Sequence, residues 1–200
     1  MDAPYAEHMS SKRRVGAESS ETRALIVLAA EAVICEEGYA AASTRRVAAK
    51  AGLKPSLVHY YFPTTDDLFL AVFRRGAAQS DAMIAAALAS PDPLRGLWRF
   101  FADASRTALT VEFIALANHR KPIREEIAAH SEAMRARQVE LLARLVASGA
   151  PPPAALAVIL AGIGRALFME GALGVTSGHD EAREWVDQWL DRLAPAPARA

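Results

Sequence analysis

The sequence predicts an all-α protein of about nine helices, and three observations carry that expectation. Apolar residues recur at three- and four-residue spacing along most of the chain, with no convincing strand. Helix-start residues stand before those runs at Ser43, Thr64, Asp92, Pro122 and Pro153. The 200 residues are 52% apolar, enough to bury a sizeable core in one large or two small domains and too apolar for a disordered chain.

An amphipathic first helix ends in CEEGY at Cys35 to Tyr39. Ser43 then stands as an N-cap, and Val47, Ala48 and Ala51 give the next helix, about Thr44 to Ala51, an inward stripe. Gly52 falls where a helix stops in a left-handed residue. Pro55 opens a further short helix, since a proline at the first helical position loses no hydrogen bond. In that helix Leu53, Leu57, Val58 and Phe62 are expected to face a core, leaving Lys54, Ser56, His59, Tyr60 and Tyr61 at the surface. Thr64 and Asp67 form a capping box that opens a long helix to about Ala89. Asp92 and Pro93 start another, with Leu94, Leu97, Trp98 and Phe101 on one face, and a short apolar segment follows at Val111 to Ala117. Pro122 begins a helix to about Ala147 and Pro153 one to about Gly174. The last, Glu181 to Leu193, puts Trp185, Val186, Trp189 and Leu193 on one side. Residues 1–19 read as a flexible arm, whose Lys12, Arg13 and Arg14 read as part of a solvated tail, and 195–200 read as disordered.

Two short helices joined at Gly52 to Lys54, with basic residues and terminal aromatics, outline a helix-turn-helix DNA reader. The net charge is zero, which argues against coating nucleic acid through global charge. Local charge points the other way: Arg45, Arg46, Lys50 and Lys54 are uncompensated in sequence between Gly38 and Thr65. On this reading Lys54, Ser56 and His59 face base edges, while Arg45, Tyr60 and Tyr61 hold phosphates.

These residues, with CEEGY upstream and PTTDDLFLAVF downstream, resemble the tetracycline-repressor (TetR) family of bacterial transcription regulators over about residues 20 to 75. The resemblance implies a DNA-binding set of Ser43, Thr44, Arg45, Lys54, Pro55, Ser56, His59, Tyr60, Tyr61 and Thr65. Thr65 stands where the family usually has lysine and His59 where it often has tyrosine, and both changes alter a phosphate contact. The resemblance also implies a DNA-binding domain at 20–64 and an effector-binding and dimerisation domain at 65–194. The expected protein is a homodimeric, cytoplasmic repressor that leaves a palindromic operator on binding a small hydrophobic effector. A helical small-molecule-binding protein without significant DNA affinity is the alternative.

For the effector, the face Ile123, Ile127, His130, Met134, Gln138, Leu141 and Leu145 is the most informative. His130 and Gln138 interrupt an inward apolar stripe, and a buried polar group needs a partner, a water or a ligand. The resemblance adds Trp98, Phe101, Phe113, Asn118, Met134 and Phe168 as lining residues. Val158, Gly162, Met169 and Leu173, with Trp185, Trp189 and Leu193, form apolar strips suited to a two-fold dimer.

No cofactor, metal, membrane partner or catalytic residue is expected. Glu126 and His130 lie one helical turn apart, but a third ligand is missing, so an exposed ion pair accounts for them better. No nucleophile elbow, phosphate loop or dinucleotide fingerprint is present, and Gly162 and Gly164 read as sites of close helix packing. The first residues do not form a signal peptide, and the uncharged run Leu145 to Gly164 is broken by Pro151 to Pro153. The single Cys35 forms no internal disulfide, which suits a reducing cytoplasm.

Overall fold

The computed structural model describes residues 21–193 apart from 148. The arm read at 1–19, with Lys12, Arg13 and Arg14, and the tail read at 195–200 lie outside the described residues. The chain runs α1 (Glu21–Glu37), a 3-10 turn (Tyr39–Ala41), α2 (Thr44–Ala51), α3 (Pro55–Tyr61), α4 (Thr65–Leu88), α5 (Pro93–Ala102), α6 (Ala104–Ala117), α7 (Lys121–Leu145), α8 (Pro153–Ala172) and α9 (His179–Leu193). Among the described residues these are nine α-helices and no strand.

Local chemistry sets the boundaries. Ser43 caps α2 by accepting the Arg46 amide at 3.3 Å. Gly52 ends that helix at φ 68°, the left-handed region in which a Cβ is strained. At α4 the capping box is reciprocal: Asp67 donates its amide to the Thr64 hydroxyl at 3.1 Å, and Thr64 donates its amide to the Asp67 carboxylate at 3.0 Å. The segment expected as short at Val111 is instead the end of α6, which starts at Ala104. Asp103 caps it by accepting the Arg106 amide at 2.9 Å, and the Thr107 and Thr110 hydroxyls bond to the carbonyls of Asp103 and Arg106. Those back-bonds let a polar stretch join the helix.

Two apolar clusters form the core. The first packs α1, α2 and α3 through Ile26, Val33, Val47, Val58 and Phe62 onto Leu68, Phe69 and Val72 of α4, with Phe113 and Ile123 closing it. The second holds Leu97, Trp98 and Phe101 of α5 against Leu142, Leu156, Leu160 and Leu190, with Ile84 of α4. Two helices, α4 and α7, therefore enter both. Leu57 is only half-buried and outside the first cluster, and Tyr61 packs against that cluster instead of lying free at the surface.

A backbone contact locks α8 to the end of α5. A Cβ built on Gly164 would lie 2.2 Å from the Phe101 carbonyl oxygen, so only glycine fits. A Cβ built on Gly162, expected to do the same, would meet nothing within 4 Å beyond its own helix among the described residues. By length and composition α8 could cross a membrane, with mean hydropathy 1.6 over its most apolar window, of which 28% is buried in the protomer. Its inner side meets α5, α6 and α7, while Val158, Ile159, Met169 and Leu173 are exposed, as is Trp185 of α9. Leu193, expected on the exposed strip, is buried in the second cluster, and Trp189 packs against it.

Candidate functional site

The two-helix unit presents one outer surface. Lys54, at the N-cap of α3, and Pro55, Ser56, His59 and Tyr60 are exposed along α3, with Ser43 and Arg45 exposed at the start of α2. Thr44 is half-buried in the first turn of α2, and Thr65 is half-buried at the start of α4. Tyr60 and Tyr61 meet edge to face, centroids 5.2 Å apart, so one tyrosine holds the other's ring in place. The basic patch is smaller than its sequence suggests. Arg46 forms a forked pair with Glu37 at 2.6 Å, and Lys50 pairs with Glu36 at 2.6 Å. Hydrogen bonding from Arg46 is the main cause that holds the Glu37 carboxyl below its ordinary range. The expectation of four uncompensated cations is thus corrected: α1 packs on α2 and brings in acids from before Gly38. Arg45 and Lys54 form no ion pair among the described residues.

Behind this unit lies a partly open cavity of about 740 Å³ lined by α1, α4, α5, α6, α7 and α8. Five expected lining residues meet there: Phe101, Phe113, His130, Met134 and Gln138. Trp98 is buried in the second cluster, Asn118 is exposed at the end of α6, and Phe168 is half-buried on α8; these three do not line it. The α4 helix supplies Phe73, whose ring stands 5.7 Å from Phe113 and 5.5 Å, edge to face, from His130. The walls are mostly apolar, with several polar side chains set among them. Of the four buried polar side chains among the described residues, Ser80, Thr107 and Gln138 line the cavity. His130 Nε2 and Arg135 Nη1 are buried there without a hydrogen-bond partner among the described residues. Glu126 does not pair with His130 as expected; it takes a forked pair from Arg74 at 2.6 and 2.7 Å. His130 borders the cavity without that pair, its Nε2 itself covered.

Sequence reading missed three arginines on these walls: Arg106, Arg135 and Arg165. A signal was available for one, since Arg165 is the lone charge between Pro153 and Met169. Burial pushes the Arg106 pKa down, with Asp103 opposing and Arg165 reinforcing the shift. Arg135 is pushed down by burial and by Arg165, with Glu132 opposing. Cys35 borders the cavity while remaining exposed; partial burial, then Glu31, Glu112 and Glu36, push its thiol pKa up, the opposite of a reactive thiolate. Among the described residues no group of three His, Cys, Asp or Glu side chains could hold a metal ion.

Comparison with known proteins bears on both parts. The sequence profile of bacterial regulatory proteins of the tetR family matches residues 26–72, from α1 into α4. The chain is 34% identical over 84 residues to the HTH-type transcriptional repressor BepR of Brucella suis, a stretch that is 41% of this chain and 40% of BepR's length. It is 30% identical to the multidrug binding protein EbrR, solved with imidazole, covering 90% of this chain and 98% of that one with a TM-score of 0.60. A protein from Saccharomonospora viridis solved in complex with choline shares the fold, at 16% identity and a TM-score of 0.75 over 88% of this chain and 98% of that one.

Proposed function

The chain belongs to the tetR family of bacterial regulatory proteins, and we propose that it is a dimeric, cytoplasmic repressor that binds a palindromic operator and is released by a small molecule held in the cavity. In this reading residues 20–64 carry the DNA contacts and 65–194 carry the effector and dimer functions. The observation that supports it is the path of α4. Leu68, Phe69 and Val72 anchor the helix in the core beneath the reader, and Phe73, Gly76, Ser80 and Met83, further along the same helix, line the cavity. Anything that moves α4 from within the cavity moves the floor of the reader.

Ion pairs strap α4 to α7, the helix that carries His130, Met134 and Gln138. Asp66 meets Arg120 at 2.5 Å, Arg74 meets Glu126 at 2.6 Å, and Asp81 meets Arg137 at 2.7 Å. A ligand changes DNA affinity only if it prefers one of two arrangements of the molecule. The strapped pair α4 and α7 is the element we assign to that change.

The exposed apolar residues of α8 and α9 supply the dimer face, and Gly162 leaves room for a partner backbone to approach. Footprinting the purified protein on DNA flanking its own gene, with light scattering at micromolar concentration, tests the whole reading. The expected result is a dimer that protects a two-fold symmetric site in a salt-dependent way. A monomer, or no protected site, would leave the alternative of a helical ligand-binding protein, which the neutralised Arg46 and Lys50 favour.

Gln138 gives a second test. Its side chain is 3% exposed and borders the cavity. Gln138→Leu keeps side-chain volume roughly constant. It should impair the effector's release of DNA while leaving ligand-free operator affinity nearly unchanged. If melting temperature falls but the effector response stays normal, Gln138 is a core residue and leaves the ligand set.

A further inference from the structure

The charge inside the cavity selects its ligand. Arg106 of α6, Arg135 of α7 and Arg165 of α8 reach the same space from three helices. Arg165 lies close enough to the other two to disfavour charge on both. Arg106 is fixed in place: its guanidinium carbon sits 3.8 Å from the Phe100 ring centroid, and its Nε donates to the Phe100 carbonyl at 3.2 Å. Arg135 keeps a buried N–H without a partner among the described residues.

The acids nearby balance only part of this charge: Asp103 offsets Arg106 and Glu132 offsets Arg135, each in part. Asp103, the N-cap of α6, is one carboxylate among three guanidiniums, Glu132 is exposed, and Glu31 on the cavity wall is paired with Arg75. A partly buried cluster of like charges is costly unless an anion completes it. A guanidinium meets a carboxylate through two parallel hydrogen bonds, so guanidiniums that border one cavity from three helices suit an anionic head group. The rest of the wall is largely apolar and aromatic.

Taking the cavity as the effector site, we propose that its ligand is an amphipathic carboxylate, with its head on Arg106, Arg135 and Arg165 and its apolar body against Phe73, Phe113 and Met134. A quaternary ammonium such as choline meets the wrong sign of charge here, whatever the fold shares with a choline-bound protein. Specificity comes from repulsion of cations as much as from attraction of anions.

The test uses the full chain and three probes of matched length: decanoate, decanol and decyltrimethylammonium, with 2-naphthoate and its methyl ester as an aromatic pair. Calorimetry should show a carboxylate binding at least about tenfold more tightly than its uncharged analogue, and no binding of the ammonium. Arg165→Gln and Arg135→Gln should each weaken the carboxylate about tenfold while leaving decanol unchanged. The unliganded Arg165→Gln protein should melt no lower than the parent, because the substitution relieves repulsion; a merely structural arginine would lower it. Equal binding of charged and neutral probes, preference for the ammonium, or no binding by either carboxylate overturns the proposal. Release of an operator fragment is followed in parallel. A carboxylate that binds without releasing DNA leaves the ligand class standing and removes the effector reading; release by decanol alone does the reverse.

Discussion

Gly164→Ala is expected to lower the melting temperature by roughly 6–12 °C, the consequence of about 3 kcal/mol at the upper end of overpacking costs in a chain of this size. The added methyl would sit 2.2 Å from the Phe101 carbonyl oxygen and 2.8 Å from its carbonyl carbon. Those are backbone atoms, so no side chain can turn away; α8 or the end of α5 must move. The displacement reaches the cavity, because Phe101 on α5 and Arg165 next in sequence to Gly164 both line it. Gly162→Ala is the matched control. It adds a methyl in open space within a helix, which favours the helix by about 0.5–1 kcal/mol. If Gly162→Ala harms the protein, the harm should appear as loss of the dimer. A Gly164→Ala protein that melts with the parent would show that α8 does not pack on α5 as described.

The other large effect lies on DNA. Lys54→Ala is expected to weaken the operator complex by about 2–6 kcal/mol and to relax base preference, since a dimer carries the lost base contact twice. Arg45→Ala and Tyr60→Ala should instead weaken all sequences alike, and Arg45→Ala should reduce the slope of log affinity against log salt by about two. Arg46→Ala should do less, because Arg46 is already held by Glu37. Gel-shift titrations at three salt concentrations on operator and scrambled DNA separate these outcomes. Unchanged affinity in both Arg45→Ala and Tyr60→Ala, with helicity intact, would remove the reader assignment.

What the sequence by itself determined is local. Ser43, Gly52, Pro55 and the Thr64–Asp67 box mark helix ends because each acts on backbone within a turn of itself, and the structure has α2, α3 and α4 where they indicate. Helical spacing likewise put His130, Met134 and Gln138 on one face of α7, and all three border the cavity. Asp103 was as strong a cap, yet the start of α6 was missed because Thr107 and Thr110 hide their polarity in back-bonds to the helix.

Tertiary structure alone decided what meets across helices. It tied Arg46 and Lys50 to acids on α1, gave Glu126 to Arg74 from 52 residues away, and buried Leu193 while leaving Leu173 in water. It also brought Arg106, Arg135 and Arg165 together from positions 29 or more residues apart, each unremarkable on its own helix. Periodicity says which side of a helix is apolar, but charges interact through space. Which neighbour a side chain meets depends on how the helices cross, a quantity that no single segment encodes.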